Sequence, residues 1–349
     1  MSAPPPASAF AGRVIRWQKR HGRHDLPWQR GSDPYRIWLA EIMLQQTQVT
    51  TVIPYYRRFL KRFPDLGALA AASLDDVLAQ WSGLGYYSRA RNLHRAAQQI
   101  VAHHRGRFPS DFETVLALPG VGRSTAAAIC AFAFGERRAI LDGNVKRVFA
   151  RCFGVKGWPG APRVENKLWA LAESLLPRRG IEAYTQGLMD LGATVCTRSR
   201  PRCDVCPLRA ACIALKRDKL AEFPAPRPRK ALPHRRARML VLLRGGEVLL
   251  EKRAPSGIWG GLWSLPEAPP DEDVVALCRL RYGADIAPPL LLPTVAHGFS
   301  HFHFDIEPAR CTVTRLTPAA GEPGTLWLPV EDALDAAIPA PVRRILSAL

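Results

Sequence analysis

The stretch Leu118-Pro119-Gly120-Val121-Gly122-Arg123-Ser124 runs directly into the apolar run Thr125-Ala126-Ala127-Ala128-Ile129-Cys130-Ala131-Phe132-Ala133-Phe134. Two glycines one residue apart let the backbone turn tightly and aim its N–H groups outward, and the run that follows reads as a helix. Unpaired N–H groups at the start of a helix, with the positive end of its dipole behind them, favour an anion. A lone Gly-x-Gly turn is weak evidence, so the surrounding sequence decides its meaning. Asp142 stands twenty residues past Gly122, in Leu141-Asp142-Gly143-Asn144-Val145-Lys146. An Asp ahead of a helical run is commonly an N-cap, and that role alone would account for it.

The charge of the chain agrees with an anionic partner. Its 349 residues carry 49 Lys and Arg against 30 Asp and Glu, a net charge of +19, and among polyanions nucleic acid has the highest prior. The excess is localised. Residues 1–222 hold 34 basic and 17 acidic side chains, residues 223–238 six basic and none acidic, and residues 239–349 nine basic and 13 acidic. A hydrophobic share of 47% excludes wholesale disorder. Eight cysteines are too sparse for a disulfide scaffold. The longest nearly apolar run, residues 125–134, is half of what a bilayer crossing needs. The start, MSAPPPASAFAGR, lacks a basic segment ahead of an apolar one and does not read as a signal peptide. The expected setting is the cytoplasm, associated with the nucleoid if the source is bacterial, with no membrane partner.

The length allows about two domains. Residues 10–222 read as helices joined by short turns. Ser32-Asp33-Pro34 supplies a cap and a proline at a helix start, after which Tyr35, Trp38, Leu39, Ile42 and Val49 recur at helical spacing. Further helices are expected over 74–81, 90–103, 124–134, 145–152 and 164–176. Four prolines between 224 and 233 mark residues 223–238 as an extended linker, its basic run serving solvation or phosphate contact. Beyond Met239, two β-rich runs flank Gly245-Gly246 as in a hairpin, and Phe302, Phe304 and Ile306 alternate with polar residues as in a half-buried strand. A short helix over 341–349 closes the chain. The fold class is therefore multidomain: an all-α region, a basic Pro-rich linker over 223–238, and a small α+β domain over 239–349.

Cys196-x6-Cys203-x2-Cys206-x5-Cys212 packs four soft ligands into 17 residues. Such a set suits an iron–sulfur cluster or a tetrahedral zinc, although zinc ribbons usually carry two Cys-x2-Cys knuckles and here there is one. Arg198, Arg200 and Arg202 between the first two ligands are candidates for phosphate contact. Cys130, Cys152, Cys278 and Cys311 sit in apolar stretches and read as buried thiols.

Hairpin, downstream aspartate and cysteine loop together resemble the helix-hairpin-helix DNA glycosylase superfamily, and within it the MutY-type adenine DNA glycosylases. The matching segments are 26–30 (LPWQR), 34–49 (PYRIWLAEIMLQQTQV), 83–93 (GLGYYSRARNL), 118–129, 140–148, the cysteine loop and 298–306 (GFSHFHFDI). The resemblance implies an all-α helix-hairpin-helix glycosylase fold in residues 1–222. Its six-helix part would span about 31–139, and its iron–sulfur part about 1–30 and 140–222, with one [4Fe-4S] cluster on Cys196, Cys203, Cys206 and Cys212. It also implies a C-terminal α+β Nudix-like domain. The implied partner is double-stranded DNA with A:8-oxoguanine or A:G mispairs, met by a monomer.

The sister branch, the endonuclease III-like glycosylases, carries a lysine nucleophile two residues after the hairpin's second glycine. Ser124 occupies that position here, which points to a monofunctional hydrolase. Lys146, four residues after Asp142, suits ion pairing or phosphate contact. Cleaving an adenine N-glycosidic bond needs a proton for the base and a negative charge beside an oxocarbenium-like C1′. Two carboxylates in different environments meet both needs. Glu41 lies about 100° from the centre of the Tyr35/Leu39/Ile42 stripe, a position more often solvated than functional. The resemblance makes it the acid, with a raised pKa, and makes Asp142 the ionised stabiliser. It also implies that Gln46, in a polar run on the Glu41 helix, inserts into the opened stack and that Tyr86 wedges beside the opposite base. Tyr87 reads as core. Trp28 and Gln186 would line the adenine pocket, His24 stands where relatives often have a basic side chain, and Gly120, Gly122 and Ser124 would meet the backbone.

In the C-terminal region, residues 257–283 lack the Arg-Glu-x-x-Glu-Glu core of a hydrolytic Nudix box. Recognition of 8-oxoguanine by Phe299, Ser300 and His301 is implied instead. The same absence weighs against a nucleotide-pool hydrolase, Ser124 against a pyrimidine-lesion lyase, and the pair Glu41 and Asp142 against a silent mismatch binder or redox sensor.

Overall fold

The computed structural model describes residues 7–228, 231–299, 301–317 and 324–349. In chain order the helices are α1 (Ala7–His21), α2 (Pro34–Leu44), α3 (Val49–Arg62), α4 (Leu66–Ala71), α5 (Leu74–Trp81), α6 (Ser88–His104), α7 (Phe112–Leu116), α8 (Arg123–Phe134), α9 (Gly143–Phe153), α10 (Pro162–Ser174), α11 (Ile181–Asp190) and α12 (Ile213–Lys216), then α13 (Val274–Tyr282), α14 (Val330–Asp335) and α15 (Ala340–Leu346). No helix among the described residues is long and apolar enough to cross a membrane. The chain divides into two compact units, one of residues 1–70 and 95–229, the other of residues 71–94 and 230–349.

The first unit is helical, as its patterning requires. Asp33 caps α2 by accepting the Tyr35 N–H at 2.9 Å, with Pro34 in the first turn. Trp38, Leu39, Ala40 and Met43 have no exposed surface, and Ile37 and Ile42 very little. Helix α2 is thus buried nearly all round, and the stripe read from the sequence was only part of its apolar surface. The neighbours α3 and α8 cover its other sides. Helix α1 packs on α11 through Gly187, where a Cβ would come within 2.8 Å of Val14 Cγ1. Phe10 meets Phe149, Phe153 and Tyr184 in one aromatic cluster that adds α9 to this pair. A π-helical turn, Leu191–Val195, carries α11 to the cysteine loop.

The second unit is built on a mixed sheet. Strands β1 (His234–Arg244) and β2 (Glu247–Lys252) form the expected hairpin, with Gly245 and Gly246 both at positive φ. Further strands are β3 (Trp263–Ser264), β4 (Glu267–Ala268), β5 (Ala284–Ile286), β6 (Leu290–Leu291), β7 (Val295–Gly298), β8 (His303–Leu316) and β9 (Thr325–Pro329), with the main order β3-β2-β1-β8-β5. Strands β1 and β8 run parallel from His234 opposite His303 to Leu243 opposite Thr312. Leu240, Leu242, Leu249, Cys278 and Cys311 form the core against α13. Residues 71–94 pack here: Lys252 pairs with Asp75, Arg91 Nη1 donates to Gly260 O at 2.6 Å, and Ser82 Oγ donates to Ile338 O at 3.0 Å.

Two sequence expectations change. Residues 234–238 of the expected linker are strand, because β8 offers them a continuous ladder. Residues 71–94, expected within the helical region, make their compact contacts with the second unit.

Candidate active site

The carboxyl group of Glu41, on buried α2, faces a cavity of about 340 Å³. One wall is Gln18 and Lys19 of α1 with His24 and Trp28; the other is Glu182, Ala183 and Gln186 of α11, and Phe132 of α8 adds an apolar side. Removal from bulk water, and then the neighbouring Asp142, push the Glu41 pKa up to about 8. The sequence placed this residue at the edge of an apolar face; it instead lines an internal wall.

Asp142 is the N-cap of α9. Its Oδ1 accepts the Val145 N–H at 2.8 Å and its Oδ2 accepts Asn144 Nδ2 at 3.3 Å. Burial raises its pKa, while these hydrogen bonds and the Arg147 guanidinium oppose the rise. Burial thus acts on the aspartate expected to stay ionised, as it does on Glu41. Only Asp142 has N–H donors and a helix N-terminus to hold a negative charge, so when the pair shares one proton it rests on Glu41. The capping role and proximity to Glu41 are compatible in this one side chain.

The hairpin between α7 and α8 sits beside this pair. Gly120 has φ +78°, a left-handed conformation that suits glycine. Gly122 is extended at φ −93°, which any residue adopts, and a Cβ there would meet nothing within 4 Å. Its absence of side chain leaves the start of α8 open, with no side-chain cap. Gln45 Nε2 donates to Gly120 O at 3.2 Å and to Thr125 Oγ1 at 3.3 Å, tying the end of α2 to the turn. Ser124 Oγ accepts the Leu141 N–H at 2.9 Å. Lys146 Nζ lies 2.6 Å from Glu165 Oε1, engaged in an ion pair.

Trp28 and Gln186, both expected in the pocket, are both in its walls and nearly buried. Trp28 stands edge-on to Tyr56 at 5.4 Å between ring centres. Gln186 Nε2 donates to Asp190 Oδ1 at 2.8 Å. His24 Nε2 is 2.9 Å from Gln18 O.

Gln46 does not lie on the Glu41 helix. Helix α2 ends at Leu44, and Gln46 is exposed in a turn at φ +58°. Tyr86 likewise is 47% exposed at φ +50°, whereas Tyr87 is 9% exposed. A non-glycine residue held in the left-handed region stores strain, and exposed strained side chains cluster at ligand contacts.

The four cysteines Cys196, Cys203, Cys206 and Cys212 line one small cavity of about 20 Å³, joined by Val195, Leu215 and Leu220. Among the described residues, no three His, Cys, Asp or Glu side chains gather onto a single-ion site. Four soft donors around one small apolar space are a ligand set that an iron–sulfur cluster or a tetrahedral zinc can use. Burial first raises the pKa of Cys203, Cys206 and Cys212, and the neighbouring thiols raise it further. The other four cysteines are buried as expected.

In the second unit, Phe299 stacks on Phe302 at 4.4 Å and 18°, near Trp259 at 5.6 Å. His301 is exposed and edge-on to Phe302 at 4.7 Å; Ser300 lies outside the described residues. The sequence reading missed Trp259, which sits at φ +53° and anchors this aromatic group. It also missed Asp190 and Arg23, because their pairing spans 167 residues and follows no local pattern.

Comparison with known proteins places these features. Residues 39–174 match the HhH-GPD superfamily of base excision DNA repair proteins, and residues 238–348 match the NUDIX domain. An adenine DNA glycosylase of Buchnera aphidicola subsp. Acyrthosiphon pisum is 35% identical over 97% of this chain and 96% of its own. The human adenine DNA glycosylase is 32% identical over 97% of this chain and 73% of its own. Among solved structures, a thermostable thymine-DNA glycosylase aligns over 60% of this chain and 97% of its own, with 29% identity and a TM-score of 0.54. An endonuclease III in a non-covalent DNA complex shares the fold, with 21% identity, a TM-score of 0.51, and coverage of 61% and 98%. The chain belongs to the adenine DNA glycosylase family, base excision repair enzymes that hydrolyse N-glycosyl bonds.

Proposed function

We propose that the chain removes adenine mispaired with 8-oxoguanine or guanine in duplex DNA, leaving an abasic site without cutting the strand. The observation that carries the reading is the place of the Glu41 carboxyl group, in the wall of a cavity of about 340 Å³ beside Asp142, where burial pushes its pKa up to about 8.

The adenine leaves the stack and enters the cavity between α1 and α11, where Trp28 and Gln186 receive it. Gln46 and Tyr86 fill the opened stack, their backbones already held in the conformation that exposes them. Glu41 donates its proton to N7, so the base departs neutral. As the bond breaks, positive charge grows on C1′ and Asp142 offsets it, its own charge supported by Val145 N–H, Asn144 and Arg147. The Glu41 carboxylate left behind then takes a proton from the attacking water. Ser124 offers no amine for a Schiff base and instead orients the Asp142 loop through Leu141. The open start of α8, with Gly120 and Gly122, meets a backbone phosphate. Lys146, paired with Glu165, holds α9 to α10.

One [4Fe-4S] cluster on Cys196, Cys203, Cys206 and Cys212 would crosslink the loop when bound, presenting exposed Arg198, Arg200 and Arg202 to DNA. Phe299 and His301, with Ser300, read the 8-oxoguanine. The protein acts as a monomer in the cytoplasm.

The experiment is incubation with duplexes carrying A:8-oxoguanine, A:G, A:T and thymine glycol pairs, each followed by alkali. Breaks at adenine of the two mispairs, and only after alkali, support the reading. Breaks at thymine glycol without alkali contradict it.

A further inference from the structure

Asp190 is fully buried at the end of α11, outside the catalytic pair. Its Oδ2 accepts the Arg23 backbone N–H at 2.9 Å, and its Oδ1 accepts Arg23 Nε at 2.7 Å and lies 2.6 Å from Arg23 Nη2. The same Oδ1 accepts Gln186 Nε2 at 2.8 Å. The chain approaches it closely at Gly22, where a Cβ would stand 3.1 Å from Asp190 Oδ2 and 2.6 Å from Gln18 O. Arg23 follows α1 and Gln186 is on α11, so this one carboxylate joins the two walls of the cavity.

A side-chain amide has a donor end and an acceptor end, and which faces a ligand depends on its fixed partner. A carboxylate paired with arginine only accepts, so Asp190 must hold the Nε2 end of Gln186. The carbonyl Oε1 then has no hydrogen-bond partner among the described residues, in a side chain that lines the cavity. An acceptor in that place pairs with an exocyclic amine and repels a 6-oxo group. We infer that Asp190 is a positioning residue that fixes the polarity of the Gln186 amide and so makes the cavity select a 6-aminopurine. This rests on the adenine-removing reading above.

The test compares single-turnover excision from two duplexes, adenine opposite 8-oxoguanine and unsubstituted purine opposite 8-oxoguanine, which differ only in the 6-amino group. Asp190→Asn lets the Gln186 amide turn over, and the adenine-to-purine rate ratio is expected to fall about tenfold from wild type, the scale of one buried hydrogen bond. Gln186→Leu should lose the same preference, and the double variant no more than Gln186→Leu alone. Equal losses on both duplexes, leaving the ratio unchanged, would overturn the inference and make Asp190 merely structural. A further fall of the ratio in the double variant would overturn it too. If Asp190→Asn does not fold, Gln186→Leu decides, since an unchanged ratio contradicts the inference and a tenfold fall supports it. Excision of neither base by the wild-type protein would strike the functional reading itself.

Discussion

The Ser124 hydroxyl accepts the Leu141 backbone N–H at 2.9 Å, fastening the start of α8 to the residue that precedes Asp142. This hydroxyl is an anchor for the loop that carries a carboxylate. Ser124→Ala leaves a partly buried N–H without its acceptor, a loss of about 1–3 kcal/mol. The expected outcome is a lower Tm and slower single-turnover excision, with DNA affinity nearly unchanged. Unchanged excision would show that the anchor does not matter to Asp142.

Asp142→Asn keeps the shape of the cap but removes the charge. Single-turnover adenine excision is expected to fall on the order of a thousandfold, the upper range for a preorganised electrostatic contact. Thermal unfolding should change little, because Asn is also a good N-cap. Excision at the wild-type rate would remove Asp142 from the mechanism.

Glu41 contributes a pH dependence to stability. Its folded pKa of about 8 lies above the 4.5 of an ordinary glutamate, so the folded state holds a proton that the unfolded state releases. The stability from this site is complete below about pH 4.5, declines as pH rises towards 8, and is lost above it. Glu41→Gln has no proton to lose. Its Tm relative to wild type is expected to rise across that window, with each kcal/mol worth about 2–4 °C. Melting curves at pH 5, 7 and 9 check this; a difference constant with pH would contradict it.

Much of this site was legible before the fold was known, because its residues sit in contiguous segments. Asp33-Pro34 started α2 as expected, and the Leu118–Ser124 turn led into α8. Other features escaped because their causes are not local. A helical wheel cannot show that α3 and α8 cover the remaining faces of α2, so Glu41 passed for a border residue. The polar run at 45–48 kept a helical pattern, but Gln46 leaves the helix at φ +58°. Asp190 in Gly187-Leu188-Met189-Asp190 looks like any helix-terminal acid until Arg23 arrives from 167 residues away. Residues 71–94 read as part of the helical region, with helices over 74–81 and from 90, yet Lys252, Gly260 and Ile338 are their partners.

Those partners matter for truncation. A chain ending at Glu222 keeps the basic excess of residues 1–222 but strips Asp75, Ser82 and Arg91 of their contacts. Its Tm is expected to fall, while its non-specific DNA affinity should keep a steep dependence on salt, with a slope of log K on log salt close to that of the whole chain. Preference for 8-oxoguanine should disappear. Complete loss of DNA binding would contradict the placement of charge in the first unit.

The proton on Glu41 is the centre of the account, and the pH profile of single-turnover adenine excision from an A:8-oxoguanine duplex tests it most directly. The free enzyme's essential acid appears in the dependence at limiting DNA. The rate should hold level from about pH 6 to 7.5 and fall towards tenfold per pH unit above about 8, with the fall absent from the residual activity of Glu41→Gln. A rate flat from pH 6 to 10, or rising with pH, would contradict acid catalysis by Glu41.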